Sequence, residues 1–586
     1  MIQYNKIKVF LILCFISLLT ISCDKDVLDI ENPNAVTEAT FWKTPQDFDA
    51  ALIATYGALQ FQAISGAGIP LEMVRGDEAG SEDFYIPWFR LSNLNVNDGD
   101  AHVVNKWSAL YIGVFRANQI LDQLEVNSDV FPTQEEAILV EAQVRFLRAY
   151  FYFEIAHSYG GGVIRTSVPN TNEELSIPFS SIEEITDQVI LPDLLFAKAN
   201  LPQSWPDNEE GRVTWGAATS LLGKSYLYSK EWSQAAGEFR EVIDAGIYSL
   251  APNNLDNFSH EEGFNVESIF EVPFSVEFNP GGNGIVVDNY PGVAGSETAD
   301  VALSTGHLRF GGFNTILPTY YMHELFVRDE IDPSNPINDG NTQSKRMGAS
   351  IVPIDGDGLY YGLPIGSRPG WVFGQSSYVK KYSNWYHLEQ EDGNRRSEIN
   401  YRVIRLADVY LMYAEAVLEA NGDFDTAIDF IDRVRTRAGV ITLRQYITDD
   451  GGIPEFHISE QVASRPRSFA VASVESVRTH IRRVERPLEL CFEGFRWKDL
   501  VRWGIAGSVL NELAQDELWR TQNQSGILDV IADPNVPGSG AGVAPLFIRE
   551  KVRPDFRTPS ENYNPQIHDY LPVPAIELQT NDQIGG

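Results

Sequence analysis

The chain has 586 residues, of which 81 are acidic and 45 are basic, and its formal net charge is −36. Nucleic-acid binding depends largely on lysine and arginine contacts to phosphate, and docking on anionic lipid needs a polybasic patch, so this charge argues against both classes of partner. The length allows one large core or two packed lobes. The excess of acidic residues predicts a well-solvated surface.

Residues 1–22 have the pattern of a secretory signal peptide. Two lysines precede an apolar stretch that is too short to span a membrane. Cys23 follows directly, and a cysteine at the first mature position marks bacterial lipoproteins for acylation. We therefore predict that residues 1–22 are removed and that Cys23 carries the acyl chains, palmitate among them, that anchor the folded part to a membrane. The alternative is an ordinary signal peptide cut near Ser22, with Cys23 incidental.

Cysteine usage argues against a disulfide framework. Of the three cysteines, Cys14 leaves with the signal peptide and Cys23 takes lipid, so only Cys491 remains. Stability must then come from core packing. Cys491 lies in an apolar run, which predicts a small buried hydrophobic side chain and not a nucleophile.

Helical signals dominate the first part of the mature chain. Residues 24–40 are predicted to be an extended lead, after which Thr44, a proline and an acidic residue form a helix start. Apolar residues at helical spacing predict a helix over roughly 104–124. Another helix is predicted to begin at a capping box on Thr133 and to end at the glycines after Tyr159.

Two segments, 215–247 and 405–438, have the spacing of tetratricopeptide helical hairpins. In the first, Gly223 and Ala235 are small where two helices would meet, and Phe239 fills the space between them. The second segment repeats this pattern more loosely. The predicted fold class is therefore mostly α, a tetratricopeptide-like helix-pair scaffold with long irregular loops and little β-structure.

Composition divides the mature chain near residue 250. Residues 23–250 are predicted to form an N-terminal helical region with tetratricopeptide-like hairpins, and 251–586 a loop-rich C-terminal region with helical segments. Gly, Pro, Asn and aromatic residues recur through 250–400. Long irregular stretches in a helical protein are usually functional or disordered, and the aromatic content favours ordered loops here.

Charged and apolar residues alternate closely over residues 486–504. This pattern predicts a helix pair held by buried or half-buried Arg–carboxylate pairs. Such networks usually fix geometry, so we predict a structural role and not ligand binding for this run.

Several short motifs follow one another along the mature chain. In chain order they are Phe41-Trp42, Arg148-Ala149-Tyr150-Phe151-Tyr152-Phe153, Arg405-Leu406-Ala407-Asp408-Val409, Val434-Arg435-Thr436-Arg437-Ala438-Gly439, Phe492-Glu493-Gly494-Phe495-Arg496-Trp497-Lys498-Asp499-Leu500, Arg502-Trp503-Gly504 and Tyr570-Leu571-Pro572-Val573-Pro574. In this order, behind a lipoprotein signal, they resemble the SusD/RagB family of outer-membrane nutrient-binding lipoproteins. The likeness covers essentially the whole mature chain.

The resemblance implies a function as well as a fold. It implies an outer-membrane lipoprotein facing the cell exterior, with long loops as the ligand face. Such a protein captures oligosaccharides and passes them to a SusC-like TonB-dependent transporter, without being an enzyme. Two alternatives stay open: a peptide-binding member of the same family, and an interaction scaffold without a small ligand.

Glycan sites need aromatic rings on loops beside polar side chains, because sugars pack C–H faces on rings and offer hydroxyls to polar groups. Segment 75–98 has this composition, and its predicted ligand residues are Arg75, Asp77, Tyr85, Trp88, Phe89 and Asn95, with Trp88 first. Segments 307–325 and 360–386 form a second zone, whose predicted ligand residues are Tyr320, Tyr321 and Trp371. Because Tyr320 and Tyr321 are adjacent, at most one is expected to face a ligand. For each ring the alternative is packing in the core.

Catalytic and metal motifs are missing from the sequence. It has no G-x-S-x-G, no H-E-x-x-H and no P-loop. A pair of glycosidase acids is not detectable without distances. The nine histidines are scattered, and Asp355-Gly356-Asp357-Gly358 lacks the rest of a calcium loop, so we predict a turn there. Neither an enzyme, a cofactor nor a metal site is predicted.

Overall fold

The computed structural model of the protein describes residues 41–584, with the exception of 67, 82, 84, 170, 172, 278–296, 300, 354–355, 357, 366–376, 394–395, 457–467 and 523–554. The predictions for residues 1–22, Cys23 and the extended lead lie outside the described residues. So do Trp371 and two residues of the predicted turn, Asp355 and Asp357.

The described part of the chain is predominantly helical. Its α-helices are α1 (Pro45–Gly57), α2 (Gln62–Ser65), α3 (Gly68–Met73), α4 (Ile86–Ser92), α5 (Ala101–Asn127), α6 (Gln134–Tyr159), α7 (Ile182–Ile185), α8 (Leu191–Asn200), α9 (Trp215–Tyr228), α10 (Trp232–Asp244), α11 (Val301–Thr305), α12 (Tyr320–Val327), α13 (Lys345–Ser350), α14 (Leu406–Asn421), α15 (Phe424–Ala438), α16 (Leu443–Asp449), α17 (Val474–His480), α18 (Arg486–Leu490), α19 (Arg496–Arg502), α20 (Ala506–Gln522), α21 (Arg557–Asn562), α22 (Pro565–His568) and α23 (Ala575–Thr580).

Strands are short. They are β1 (Ala79–Gly80), β2 (Gly161–Gly162), β3 (Ser180–Ser181), β4 (Ser268–Val272), β5 (Leu317–Pro318), β6 (Ile351–Pro353), β7 (Leu359–Tyr360), β8 (Leu363–Pro364), β9 (Ser377–Val379), β10 (Tyr401–Arg405), β11 (Ile453–Pro454) and β12 (Phe469–Ala470). In the described residues they form two-stranded antiparallel pairs only: β1–β5, β2–β3, β4–β10, β6–β9, β7–β8 and β11–β12. The predicted fold class, mostly α with little β-structure, is confirmed.

Stacked helical hairpins form the scaffold. Helix α8 packs on α6 and α9, α9 pairs with α10, α10 packs on α14, and α14 pairs with α15. A Cβ atom on Gly223 would lie 2.7 Å from a ring carbon of Phe239, so this close helix approach requires glycine. The two predicted hairpins are therefore confirmed, and they stack directly although more than 150 residues separate them in sequence.

The predicted helix ends agree with the structure. The Thr44 side chain accepts a hydrogen bond from the Asp47 N–H, and the Asp47 carboxylate accepts one from the Thr44 N–H. Thr133 accepts from the Glu136 N–H, which confirms one of the two bonds of the predicted capping box; the return bond from the Thr133 N–H to the Glu136 carboxylate is not formed. Helix α6 ends at Gly160, whose φ of 75° is left-handed, as the glycine run predicted.

Two hydrophobic cores hold the described part of the chain together. The large core draws on both predicted regions, 23–250 and 251–586, for example where Phe146 of α6 packs edge-to-face on Phe270 of β4 with ring centroids 5.1 Å apart. A smaller, aromatic core lies under the loops of 299–400 and includes Tyr360, Tyr378 and Trp385. Small cores of this kind typically support long loops.

A buried ion-pair network centres on Arg405 at the end of β10. Its guanidinium donates to Glu267 at 2.9 Å, to Glu489 at 2.7 Å and to both carboxylate oxygens of Glu493 at 2.7 and 2.9 Å. Arg437 donates to Glu267 at 2.7 Å and to Glu489 at 2.6 Å. All these groups are buried. We call this set the Arg405 network.

Other charged side chains of the 486–504 run also form buried ion pairs. Arg486 bridges Asp499 and Asp408, at 2.7 and 2.8 Å. Arg502 donates to both oxygens of Glu415 at 2.7 Å. The predicted structural role is confirmed.

Cys491 is fully buried, and burial raises the pKa of its thiol to about 12. A thiol held protonated in this way is a poor nucleophile. The prediction of a small buried hydrophobic side chain is confirmed.

Removing Arg405 should destabilise the protein strongly. Arg405→Met leaves three carboxylates with fewer cations in the core, and we expect the free energy of unfolding to fall by about 3–5 kcal/mol. The matched control is Arg444→Met, because Arg444 pairs with Asp425 and Asp429 at the exposed surface. Its expected loss is below about 1 kcal/mol. Urea unfolding followed by circular dichroism measures both, and equal losses would contradict a special role for the network.

Glu78 should make stability depend on pH. Its carboxyl is buried, one oxygen accepts from the Phe492 N–H at 3.0 Å, the other has no hydrogen-bond partner, and burial raises its pKa to about 8. The folded form thus retains a proton that the unfolded chain loses near pH 4.5, so this group reduces stability as pH rises from about 4.5 to about 8. Glu78→Gln keeps the acceptor and removes the ionisation. Its urea midpoint should exceed that of the native protein at pH 8.5 and equal it at pH 4; an equal midpoint at pH 8.5 would contradict this.

Candidate ligand-binding surface

The predicted ligand zones meet in the fold. Strand β1 pairs with β5, with Ala79 opposite Pro318, and the Thr319 hydroxyl donates to the Asp77 carbonyl at 2.6 Å. Strand β9 lies against β5. Segments 75–98, 307–325 and the described part of 360–386 are therefore neighbours, a contact that sequence spacing could not predict.

Arg75 and Asp77 are taken up by contacts inside the protein. Arg75 donates to the His568 carbonyl at 2.6 Å and lies over the Trp497 ring at 4.8 Å. Asp77 accepts two hydrogen bonds from Arg496, at 2.6 and 2.7 Å. Both side chains are buried. The expectation that they line an open ligand surface is wrong, because they join the N-terminal segment to α19 and the C-terminal residues.

Trp88 is fully buried and stacks on His102 with ring centroids 4.2 Å apart. Segment 75–98, expected to be a loop that carries aromatic rings, contains helix α4, and Trp88 and Leu91 form the inner face of that helix. The prediction of a solvent-facing Trp88 is therefore wrong. Tyr85 and Phe89 are half-buried and Asn95 is exposed, so a ligand role for these three remains a prediction.

Tyr320 and Tyr321, the two predicted ligand residues of which at most one was expected to face a ligand, are both buried, so neither lies on an open ligand surface. Helix α12 is enclosed on both sides, and each hydroxyl donates to a backbone carbonyl: Tyr320 to Leu513 at 2.8 Å and Tyr321 to Arg483 at 2.7 Å. These bonds satisfy the only polar atom of each side chain. Trp371 lies outside the described residues.

A cluster of three rings, His260, Tyr386 and His387, lies at the surface of the loop region. The His260 and His387 centroids are 4.2 Å apart, those of Tyr386 and His387 4.4 Å, and those of His260 and Tyr386 5.6 Å. His387 is exposed and the other two are half-buried. We call this the ring cluster.

Hydrogen bonds fix the ring cluster in place. The backbone N–H of His260 donates to the Tyr386 hydroxyl at 2.7 Å, and His260 Nδ1 lies 2.6 Å from the same oxygen.

Partial burial and the adjacent His260 ring lower the pKa of His387 to about 4, so its ring is uncharged at neutral pH. The side chain of Glu398 is one-third exposed, and one of its carboxylate oxygens lies 4.0 Å from His260 Nε2. Flat rings thus stand beside a hydrogen-bonding carboxylate, which suits a sugar.

The smaller core supports the ring cluster from below. Trp385 belongs to that core, next to Tyr386 in sequence, and Lys380 Nζ lies 4.0 Å from the centre of its ring. The Glu391 carboxylate accepts from the Tyr361 hydroxyl at 2.7 Å and from the Asn384 N–H at 2.8 Å. The loop that carries Tyr386 is therefore anchored on both sides of the rings.

Sequence reasoning did not single out the ring cluster. The run Trp385-Tyr386-His387 is a visible aromatic signal, but His260 lies 126 residues from Tyr386. Only the fold brings the two segments together.

Metal-binding clusters and membrane-spanning helices are absent from the part of the chain that the structure describes. There, no three His, Cys, Asp or Glu side chains are placed to hold a metal ion together. None of the helices in these ranges combines the length and apolar character needed to cross a bilayer.

Comparison with known families gives two matches along the chain. Residues 28–227 match a family described as starch-binding and associating with the outer membrane. Residues 373–585 match the SusD family, SusD/RagB.

Individual proteins resemble the chain over nearly its whole length. SusD-like protein P25 of Formosa agariphila is 25% identical over 603 residues, which covers 98% of this chain and 97% of that one. A SusD superfamily protein from Bacteroides vulgatus shares the fold with a TM-score of 0.68 at 24% identity, covering 93% and 99% of the two chains. A laminarin-binding SusD-like protein does so with a TM-score of 0.63 at 24% identity, covering 92% and 98%. The solved structures show the shared fold. The two family matches and the full-length relative show that this chain belongs to the SusD/RagB family.

Proposed function

We propose that this protein captures oligosaccharides at the cell surface and delivers them to a partner transporter. The observation that carries the proposal is the ring cluster, an accessible set of aromatic and imidazole rings beside Glu398 on a supported loop surface. Sugar C–H faces pack on such rings, and sugar hydroxyls donate to carboxylates.

The comparisons support a glycan as the ligand class. One matching family is described as starch-binding, and one relative of the same fold is described as laminarin-binding. A peptide-binding role is the second candidate, because exposed Tyr and His rings also serve peptide recognition.

The proposal includes a membrane anchor and a transporter. Acyl chains on Cys23 would hold the protein in the outer membrane, facing the exterior, since two or more chains bind a bilayer stably. A SusC-like TonB-dependent barrel would receive the ligand. The proposal assigns no catalytic activity, which agrees with the missing hydrolase motifs in the sequence.

Truncating the ring cluster should weaken glycan binding. The mature chain from Asp24 onward is screened by calorimetry against oligosaccharides and peptides, together with Tyr386→Ala and His387→Ala. Each variant loses a ring face worth on the order of 1–2 kcal/mol, so the Kd for the bound glycan should rise about 5- to 30-fold. Chromatography should recover the glycan uncleaved.

Phe115→Ala is the matched control, because Phe115 is an exposed ring on scaffold helix α5. Its Kd should equal that of the native chain. Binding that survives in both ring-cluster variants but falls in Phe89→Ala would move the site to segment 85–95. Binding of peptides alone would replace the glycan proposal by the peptide-binding one, and cleavage of the glycan would contradict a pure binding role.

A further inference from the structure

A small pocket lies away from the ring cluster, among the scaffold helices. His157 of α6, Tyr228 at the end of α9 and Lys498 and Arg502 of α19 line it, and Tyr570 helps to close it. Its volume is about 250 Å³. Ordinary ligand pockets measure about 300–1,000 Å³, so this one suits a ligand no larger than a single sugar ring.

The charge of this pocket is opposite to that of the chain. Acidic residues outnumber basic ones by 81 to 45 in the sequence. The described residues that line the pocket nevertheless include three basic side chains, Lys230, Lys498 and Arg502, and no acidic one. Such a reversal favours an anionic ligand.

Two of the basic residues are held rigidly. Lys498 Nζ lies 2.7 and 2.8 Å from the two carboxylate oxygens of Glu154, and Arg502 donates to both oxygens of Glu415. Lys230 is exposed, and its ammonium makes no ion pair in the described part of the structure. Arg502 also donates to Asp499, so the charges of both α19 cations are balanced by carboxylates that do not line the pocket. The pocket thus combines two fixed cationic side chains with one exposed lysine that has no ion pair in the described residues.

Tyr228 provides an unused donor. Its hydroxyl is buried and has no hydrogen-bond partner, and Arg502 lies over its ring at 5.0 Å. Burial raises the pKa of this phenol, so it keeps its proton. A buried O–H without an acceptor is costly. The hydroxyl is closed to solvent in this arrangement, so a ligand oxygen would satisfy it once the side chain turns toward the pocket.

The pKa of His157 is lowered by its burial and by the cations around it. Burial lowers its pKa to about 3, and nearby Lys498, Lys224 and Arg502 lower it further against the opposite effect of Glu154. The ring is therefore neutral at physiological pH and adds no proton-dependent charge to the pocket.

We propose that this pocket binds a small oxyanion: a carboxylate, sulfate or phosphate group, either free or carried on a single sugar ring. Lys230, Tyr228 and the α19 cations offer donors, and an oxyanion offers only acceptors in return. The site is built from α6, α9 and α19 and does not depend on the proposed glycan surface.

The test is a titration of the mature chain with sodium sulfate, sodium phosphate and sodium glucuronate. Sodium chloride at matched ionic strength and neutral glucose are the controls. We expect saturable heat with at least one oxyanion and with neither control. Tighter binding of glucuronate identifies an acidic sugar as the ligand, and tighter binding of sulfate or phosphate identifies a free anion. A response no larger than that to chloride would overturn the proposal.

Two variants locate the binding. Lys230→Met removes the free cation and Tyr228→Phe removes only the hydroxyl, and each should raise the Kd about 3- to 10-fold. Lys43→Met removes an exposed lysine far from the pocket in sequence and should leave the Kd unchanged. Because Lys230 is exposed and Tyr228→Phe keeps the ring, both variants should retain the native circular dichroism spectrum. Unchanged affinity in both folded variants would also overturn the proposal.

Discussion

The Arg405 network is the interaction on which the rest of the structure depends. It joins the end of β10 to α18 and to the residues that follow it, and thereby couples the hairpin scaffold to the loop region. Two of its carboxylates contact the chain segments that carry the ring cluster. Glu267 accepts from the Asn257 side chain, three residues before His260, and Lys381, five residues before Tyr386, donates to Glu493 at 2.9 Å. The two segments that carry the rings are thus tied to one buried centre.

Buried charges are tolerated here because they balance. Arg405, Arg437 and Lys381 face Glu267, Glu489 and Glu493, three cations against three carboxylates. Burial alone would raise the pKa of Glu267, but Arg437 and Arg405 hold it down to about 2. Networks of this kind add little net stability over apolar packing, and their directional bonds specify one arrangement of segments. In a binding protein, that arrangement holds the rings on the loops in position before the ligand binds.

Features that depend on local chemistry could be predicted from the sequence, and features that depend on tertiary enclosure could not. The helix cap at Thr44 was predictable because a cap involves only neighbouring residues. The helix contact at Gly223 was predictable because two helices that pack this closely require a glycine at the contact. Trp88 was misplaced because seven helical residues, Ile86–Ser92, turn it inward. The sequence around Tyr320 and Tyr321 does not distinguish them from exposed rings. Their burial comes from contacts with residues more than 150 positions later in the chain, Arg483 and Leu513. The ring cluster needed the contact between His260 and Tyr386, which no periodicity encodes.

The most direct test of the account is a crystal structure of the mature chain with a bound oligosaccharide. The account predicts a sugar ring lying against the ring cluster, its carbon atoms roughly 4 Å from the ring carbons of Tyr386 or His387, and a sugar hydroxyl donating to Glu398. A sugar bound elsewhere, with water over an unchanged ring cluster, would contradict it.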